Sequence, residues 1–243
     1  DFHGHALSPA TAPVAAAPDG LLCDAGRLSL RVPPFVLQLG DIAVFEPQLG
    51  LADSDAAAAV ARVLATVAFP LEGQLHVFGA PVAARSYVEL LRARQQLGLV
   101  QGRGGLLSNR SLRDNIAMPV ATHAQMDAAQ EASRVNELVA RFQLEAVANL
   151  RPHEVDGAAR FRACAARAMA LQPQWVVVEG AGDFDAARGL SATWLQLVGS
   201  AEAGCAALAV CLSRPNAALS AALAAHGAQV LGCFAQTAAQ GAA

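Results

Sequence analysis

Apolar residues recur along this chain with two different periods, and the switches between them predict strands and helices in turn. Leu28–Val32 alternates apolar and polar side chains, and Ile42–Phe45 is a short apolar run opened by Gly40 and Asp41; both predict strands. An alanine-rich run over 56–67 predicts a helix that Pro70 stops. Gln74–Phe78 alternates again and closes on Gly79, Ala80 and Pro81, as a hairpin strand and its turn do. A helix over 86–96 and a strand over 97–100 follow. Next comes a helix from Gln125 to Phe142, with Val135, Leu138, Val139 and Phe142 on one face. The rest of the pattern gives a helix over 156–170, a β-branched strand Val176–Val178, a helix over 187–198, a strand over 207–212, and a closing helix and strand. Strands alternating with helices predict an α/β fold: a sheet core with flanking helices and an inserted helical lobe over about residues 116–172.

Composition narrows this picture. With 243 residues, 54% of them apolar, the chain can bury a full core as a single domain over 21–243. Residues 1–20, rich in Ala, Pro and His, are expected to form a flexible leader that is neither a signal peptide nor an anchor. A net charge of −3 and the absence of any Lys/Arg run exclude a nucleic-acid footprint or a basic membrane patch. The apolar runs are too short to span a bilayer, so membrane association is expected only through a partner. Cys23, Cys164, Cys205, Cys211 and Cys233 form no C-x-x-C pair and read as reduced thiols of a cytosolic protein. His3 and His5 stand two apart on the leader and are expected to be incidental, so no metal site is assigned. Ser108, Ser111 and Ser213 lack triad partners at recognisable offsets, and the sparse aromatics offer no stacking platform for bases.

Two stretches carry a family resemblance. Pro152, Glu154, Gly157, Arg162, Arg167, Ala168 and Pro173 fall without a gap into a pattern P-x-E-L-S-G-G-Q-x-x-R, A-R-A, Pro, ending on the apolar run 175–178 and Glu179. That pattern resembles the signature helix and Walker B strand of ABC transporter ATP-binding subunits. Upstream, Leu99–Pro119 resembles the Q-loop of those subunits and the segment behind it. The wording of Leu106–Asn109 and Asn115–Pro119 is similar to the ATPases of Mla/Mce-type lipid transporters. The resemblance spans roughly residues 21–235. It implies a P-loop NTPase-like fold, ATP and Mg²⁺ as cofactors, a membrane subunit and a second ATP-binding subunit as partners, and a cytoplasmic position at the inner face of the membrane.

The departures fall where the family's chemistry should be. All 17 basic residues are arginine, so the Walker A lysine is missing. Gly50 alone survives as a loop glycine, and Asp53, Ser54 and Asp55 put capping groups and negative charge where a phosphate would dock. Glu179 stands for the Mg²⁺-ordering Asp and Gly180 for the general base. Leu212 or Ser213 stands for the switch histidine, and His226 follows a further helix. In the signature, Asp156 and Ala158 replace the Ser and second Gly that would donate to the γ-phosphate. The degenerate nucleotide positions are therefore Gly50, Gln101, Asp156, Gly157, Glu179, Gly180 and Asp185, with Asp183 as alternative to Asp185 in the loop that crosses the dimer seam. No catalytic residue is assigned, and ATP and Mg²⁺ are expected to bind weakly or not at all. Gln101, Leu106, Leu107, Leu112 and Asn115 are the expected partner-docking residues, although Leu106 and Leu107 could equally pack inward. Three functions stay open: an inactive structural or regulatory partner in a transport complex, possibly for lipid; an ABC-type ATPase with atypical loops; and a free-standing binding module.

Overall fold

A computed structural model of the chain describes residues 12–26, 28–48, 55–102, 105–181, 184 and 186–236. Its centre is a seven-stranded sheet in the order β2 (Leu21–Asp24), β3 (Ser29–Val32), β11 (Gln229–Gln236), β5 (Ile42–Pro47), β10 (Ala207–Cys211), β9 (Trp175–Glu179) and β8 (Leu97–Gln101). The five strands from β11 to β8 run parallel, and β3 and β2 extend that sheet antiparallel. A parallel sheet is covered on both faces, which is why β9 and β10 read as unbroken apolar runs. Side chains still alternate between the faces. Val176 and Val178 enter one core with Leu208, Val210 and Trp194, whereas Trp175 and Val177 enter the other with Ala209, Val60 and Leu64.

Helix α1 (Asp55–Leu64) covers the second face, beside a separate antiparallel sheet in the order β4 (Phe35–Leu37), β1 (Ala15–Ala17), β6 (His76–Val77) and β7 (Ala80–Pro81). The first face carries α3 (Leu112–His123), α4 (Ala128–Arg141), α5 (Gly157–Ala168), α6 (Ala192–Glu202) and α7 (Ala217–Ala224). Helix α2 (Tyr87–Gln95) leads into β8. Side-chain boxes start three of these helices: Ser86 with Glu89, Ser111 with Asp114, and Asp127 with Gln130.

Three expectations are corrected. Ala15–Ala17, placed by the sequence in a flexible leader, is a buried strand, because β4 and β6 pair with its backbone on either side and its side chains join the core. Residues 1–11 of that leader lie outside the described residues. Helix α3 was not anticipated. Pro119 inside it weakens the helical pattern, while its capping box and the spacing of Leu112, Ile116 and Val120 are the signals that could have revealed it. The helix expected over 187–198 starts later, at Ala192, where Ser191 accepts from the Trp194 amide.

Candidate functional site

Register aligns the carboxyl ends of β8, β9 and β10 beside Phe45 of β5 and Leu231 of β11. Gln101 pairs with Glu179, Glu179 with Cys211, Cys211 with Phe45, and Phe45 with Leu231, so these residues form one row across the sheet. In open α/β sheets, ligands bind beyond such a row. Strand β5 also ends near this row; Gly50, Asp53 and Ser54 lie outside the described residues, as do Asp183 and Asp185.

Along the row, Gln101 and Glu179 are half-buried. Burial raises the Glu179 carboxyl above its usual range, partly offset by Arg62. Arg62 reaches back along α1, its Nε donating to the Ala58 carbonyl at 3.2 Å, which brings its charge nearer the row than its place in sequence suggests. Gly180 has a left-handed backbone, φ 85°, and its amide donates to the Cys211 carbonyl at 2.7 Å. A side chain at that position would be strained whatever its chemistry. Cys211 is enclosed beside Cys23 and Cys233. Burial pushes Cys23 and Cys233 up to about 12 and Cys211 well above its ordinary value, so the three thiols stay protonated and unreactive. Leu212 is buried and Ser213 half-buried. His226 pairs with Glu202 at 2.7 Å, beyond the amino end of β10 and thus at the far end of the strand from the row.

Sequence reasoning missed Glu46. Strand β5 continues through Glu46 and Pro47, paired with Gly232 and Cys233 of β11, so the loop toward α1 begins only at Gln48. The Glu46 carboxylate accepts from the Asn216 amide at 2.7 Å and from Ser220 Oγ at 3.3 Å, and so ties the strand end to the start of α7. Its sole sequence signal was a carboxylate at the end of an apolar strand.

On the signature side, Asp156 caps α5: its side chain accepts from the Ala159 amide at 2.7 Å. Gly157 is the exposed first residue of that helix. Arg160 braces the same turn by donating to the carbonyls of Pro152 and Val155. Asp156→Ala is expected to lower stability by about 1 kcal/mol in urea denaturation, and Asp156→Ser to be nearly neutral because serine also caps. Equal losses for both variants would show that the cap contributes nothing.

Two of the expected docking residues are corrected. Leu112 and Asn115 are fully buried. Leu112 packs in the core, and the Asn115 side chain accepts from the Leu107 amide at 2.7 Å and donates to the carbonyls of Leu107 and Ser111. Neither can meet a partner, because Leu112 is enclosed in the core and Asn115 already holds the segment after β8 onto α3. Leu106 packs partly against the core, and Leu107 stays exposed. Nearby, a groove of about 550 Å³ opens between α2, β8, α3 and the end of α5, walled by Leu91, Leu97, Leu99, Met118 and Leu171, with Arg167 beside them. Tyr87, Val88 and Leu91 of α2 are exposed beside it.

No family model matches the chain. It is 33% identical over 120 residues to methionine import ATP-binding protein MetN 1 of Pseudomonas syringae, across 49% of this chain and 36% of that protein. A second relative, methionine import ATP-binding protein MetN 3 of Bacillus cereus, is 32% identical over 112 residues, 46% of this chain and 33% of its own. The chain thus spans about a third of the length of the curated relatives it matches. Among solved structures, the dimeric bacterial ABC transporter cassette MJ0796 superposes with a TM-score of 0.70 at 18% identity, over 90% of this chain and 94% of that one. The structure of cbiO1 from Clostridium perfringens, part of the ABC transporter complex cbiONQ, gives 0.61 at 12% identity, over 83% and 79%. The fold is that of an ABC ATPase cassette, with the P-loop NTPase arrangement of sheet and helices.

Proposed function

We propose that this chain is a cassette-fold subunit of a membrane transport complex that no longer turns over nucleotide and serves as a structural or regulatory half. One observation carries the reading: the end of β5, where a phosphate loop would begin, is committed to the fold. Glu46 places a carboxylate there and spends it on α7, and the neighbouring strand ends offer a glycine without a side chain at Gly180 and apolar or thiol side chains at Cys211 and Leu212. Phosphoryl transfer needs a cation at the phosphates and a group to orient the attacking water. Where ATP-binding cassettes place that cation this chain has no lysine, and Gly180 carries no side chain to orient water. Should ATP and Mg²⁺ enter, Glu179 is the carboxylate that would face the metal, and a single carboxylate holds Mg²⁺ poorly without phosphate oxygens.

The partner reading follows from the groove beside β8. Apolar walls with exposed Tyr87, Val88 and Leu91 alongside have the make-up of a protein interface. A helix of a membrane subunit seated there would bring the chain to the cytoplasmic face of the membrane; no described helix is long and apolar enough to cross one. A second cassette across the Asp156 end of α5 would complete the complex. A lipid cargo rests on the wording of Leu106–Pro119 alone, and packing accounts for Leu112, Asn115 and Ile116 within it.

One observation favours the second reading, an ATPase with atypical loops: Arg62 reaches back far enough to act on Glu179. Titration calorimetry with Mg-ATP separates the two. The proposed function expects no saturable heat at micromolar nucleotide and no turnover above buffer background. Micromolar binding that Arg62→Ala abolishes would establish the atypical ATPase site instead.

A further inference from the structure

Strand β8 ends the seven-stranded sheet and is bonded on one side only, to β9. Each residue of a parallel strand turns both of its backbone groups to the same side, and successive residues alternate. The Trp175 amide donates to the Gln96 carbonyl, which fixes the alternation: Gln96, Gly98 and Val100 face β9, and Leu97 and Leu99 turn their N–H and C=O groups outward. Gln101 also faces outward, and its backbone already bonds the Cys164 sulfur. No described residue bonds the outward groups of Leu97 and Leu99.

This open edge is the floor of the groove. Leu97, Gly98 and Leu99 line it in succession, and three consecutive strand residues share one cavity only where it runs along the strand's edge. Sheet edges are normally blunted by charge, proline or a bulge. Leu97–Gln101 carries none of these; α2 and α3 wall it instead, so the edge lies in a slot and not on open surface. The slot also has one sign of charge: Arg94 and Arg167 line it, and no acidic residue does. Arg94 spends Nε and Nη2 on Thr66, and Arg167 spends Nη1 on the Gly105 carbonyl. Among the described residues no carboxylate pairs with either arginine, although a carboxylate satisfies guanidinium donors more strongly than a carbonyl does.

We propose that the open edge of β8 is a strand-addition site for an extended peptide segment of a partner protein, in which apolar residues alternate with acidic ones. Its backbone pairs with the outward groups of Leu97 and Leu99. Side chains of an added strand alternate as those of β8 do, so the apolar set falls beside Leu97 and Leu99, and the acidic set turns toward α5 and Arg167. In such additions main-chain bonds supply the affinity and side-chain contacts the choice of sequence. On the reading that a membrane-subunit helix uses the same groove, the two occupants exclude each other; strand addition itself rests on the fold alone.

A fluorescein-labelled peptide, acetyl-Val-Glu-Val-Glu-Val-amide, tests this on the purified chain by fluorescence anisotropy. Saturable binding is expected. N-methylation of its valines and N-methylation of its glutamates should differ at least about ten-fold in effect, because only one of the two sets of amides faces β8. With peptide bound, the Leu97 and Leu99 amides should exchange about ten-fold more slowly, while those of Gly98 and Val100 stay unchanged. Arg167→Gln should weaken the peptide about ten-fold and leave the analogue with glutamine in place of glutamate unaffected. On the unaltered chain that analogue should itself bind about ten-fold more weakly than the acidic peptide, which covers the case of an unstable Arg167→Gln. Equal effects of the two N-methylation patterns would make the groove a site for any acidic amphiphile and overturn the proposal. So would an absence of saturable binding at millimolar peptide, or unchanged exchange at Leu97 and Leu99. Nucleotide titration alone judges the loss of hydrolysis, so a negative result here leaves that reading standing.

Discussion

Leu112→Ala is expected to cost about 2–5 kcal/mol of stability, because a fully buried leucine leaves a cavity that α3 and α5 cannot close. Asn115→Ala should cost roughly 3 kcal/mol for a different reason. It leaves the Leu107 amide without its acceptor, which costs about 1–3 kcal/mol, and takes one of two donors from each of the Leu107 and Ser111 carbonyls, which keep the backbone amides of Arg110 and residue 115. Leu107→Ala, at a side chain 45% exposed, should stay within about 0.5 kcal/mol. Urea denaturation of the three variants assigns each residue to core or surface. A midpoint unchanged by Leu112→Ala would return that leucine to the docking face.

Trp175→Ala should have the larger effect on the sheet, about 3–5 kcal/mol. Trp175 opens β9 with no exposed surface, and its Nε1 donates to the Leu64 carbonyl at 3.1 Å, which fastens the first residue of the strand to the last residue of α1. Trp175→Phe keeps most of the apolar contact and leaves that carbonyl unpaired, so it should cost about 1–2 kcal/mol. If Phe were as damaging as Ala, the hydrogen bond and not the packing would dominate this joint. Thermal unfolding followed by calorimetry reads both.

The legible and the hidden parts of this protein divide by the range of the forces involved. Apolar periodicity and capping residues act within a few positions of each other, so β3, β5, β8, β9, β10 and α1, α2, α4 and α5 could be placed from the sequence to within a few residues. The short strands β1 and β4 could not. Three alanines carry no strand signal and a Phe-Val-Leu run is too short to show a period, and they are strands because β6 and each other supply their hydrogen bonds. Helix α3 stayed hidden because Pro119 and a weakly amphipathic face mask a local signal that was present.

The site divides in the same way. The sequence by itself determined that lysine is absent, that glycine stands at 180 and aspartate at 156, and that residues 152–179 resemble a signature helix and the strand after it. Only the tertiary structure decided what those residues do. Register across five parallel strands brought Gln101, Glu179 and Cys211 into one row, a contact spanning 170 positions gave Glu46 to the start of α7, and another spanning 62 set Arg167 between Gly105 and the groove. Leu112 and Asn115 passed from surface to interior for the same reason: a side chain's partner is fixed by how helices and sheet stack, and neither residue type nor spacing along the chain encodes that stacking.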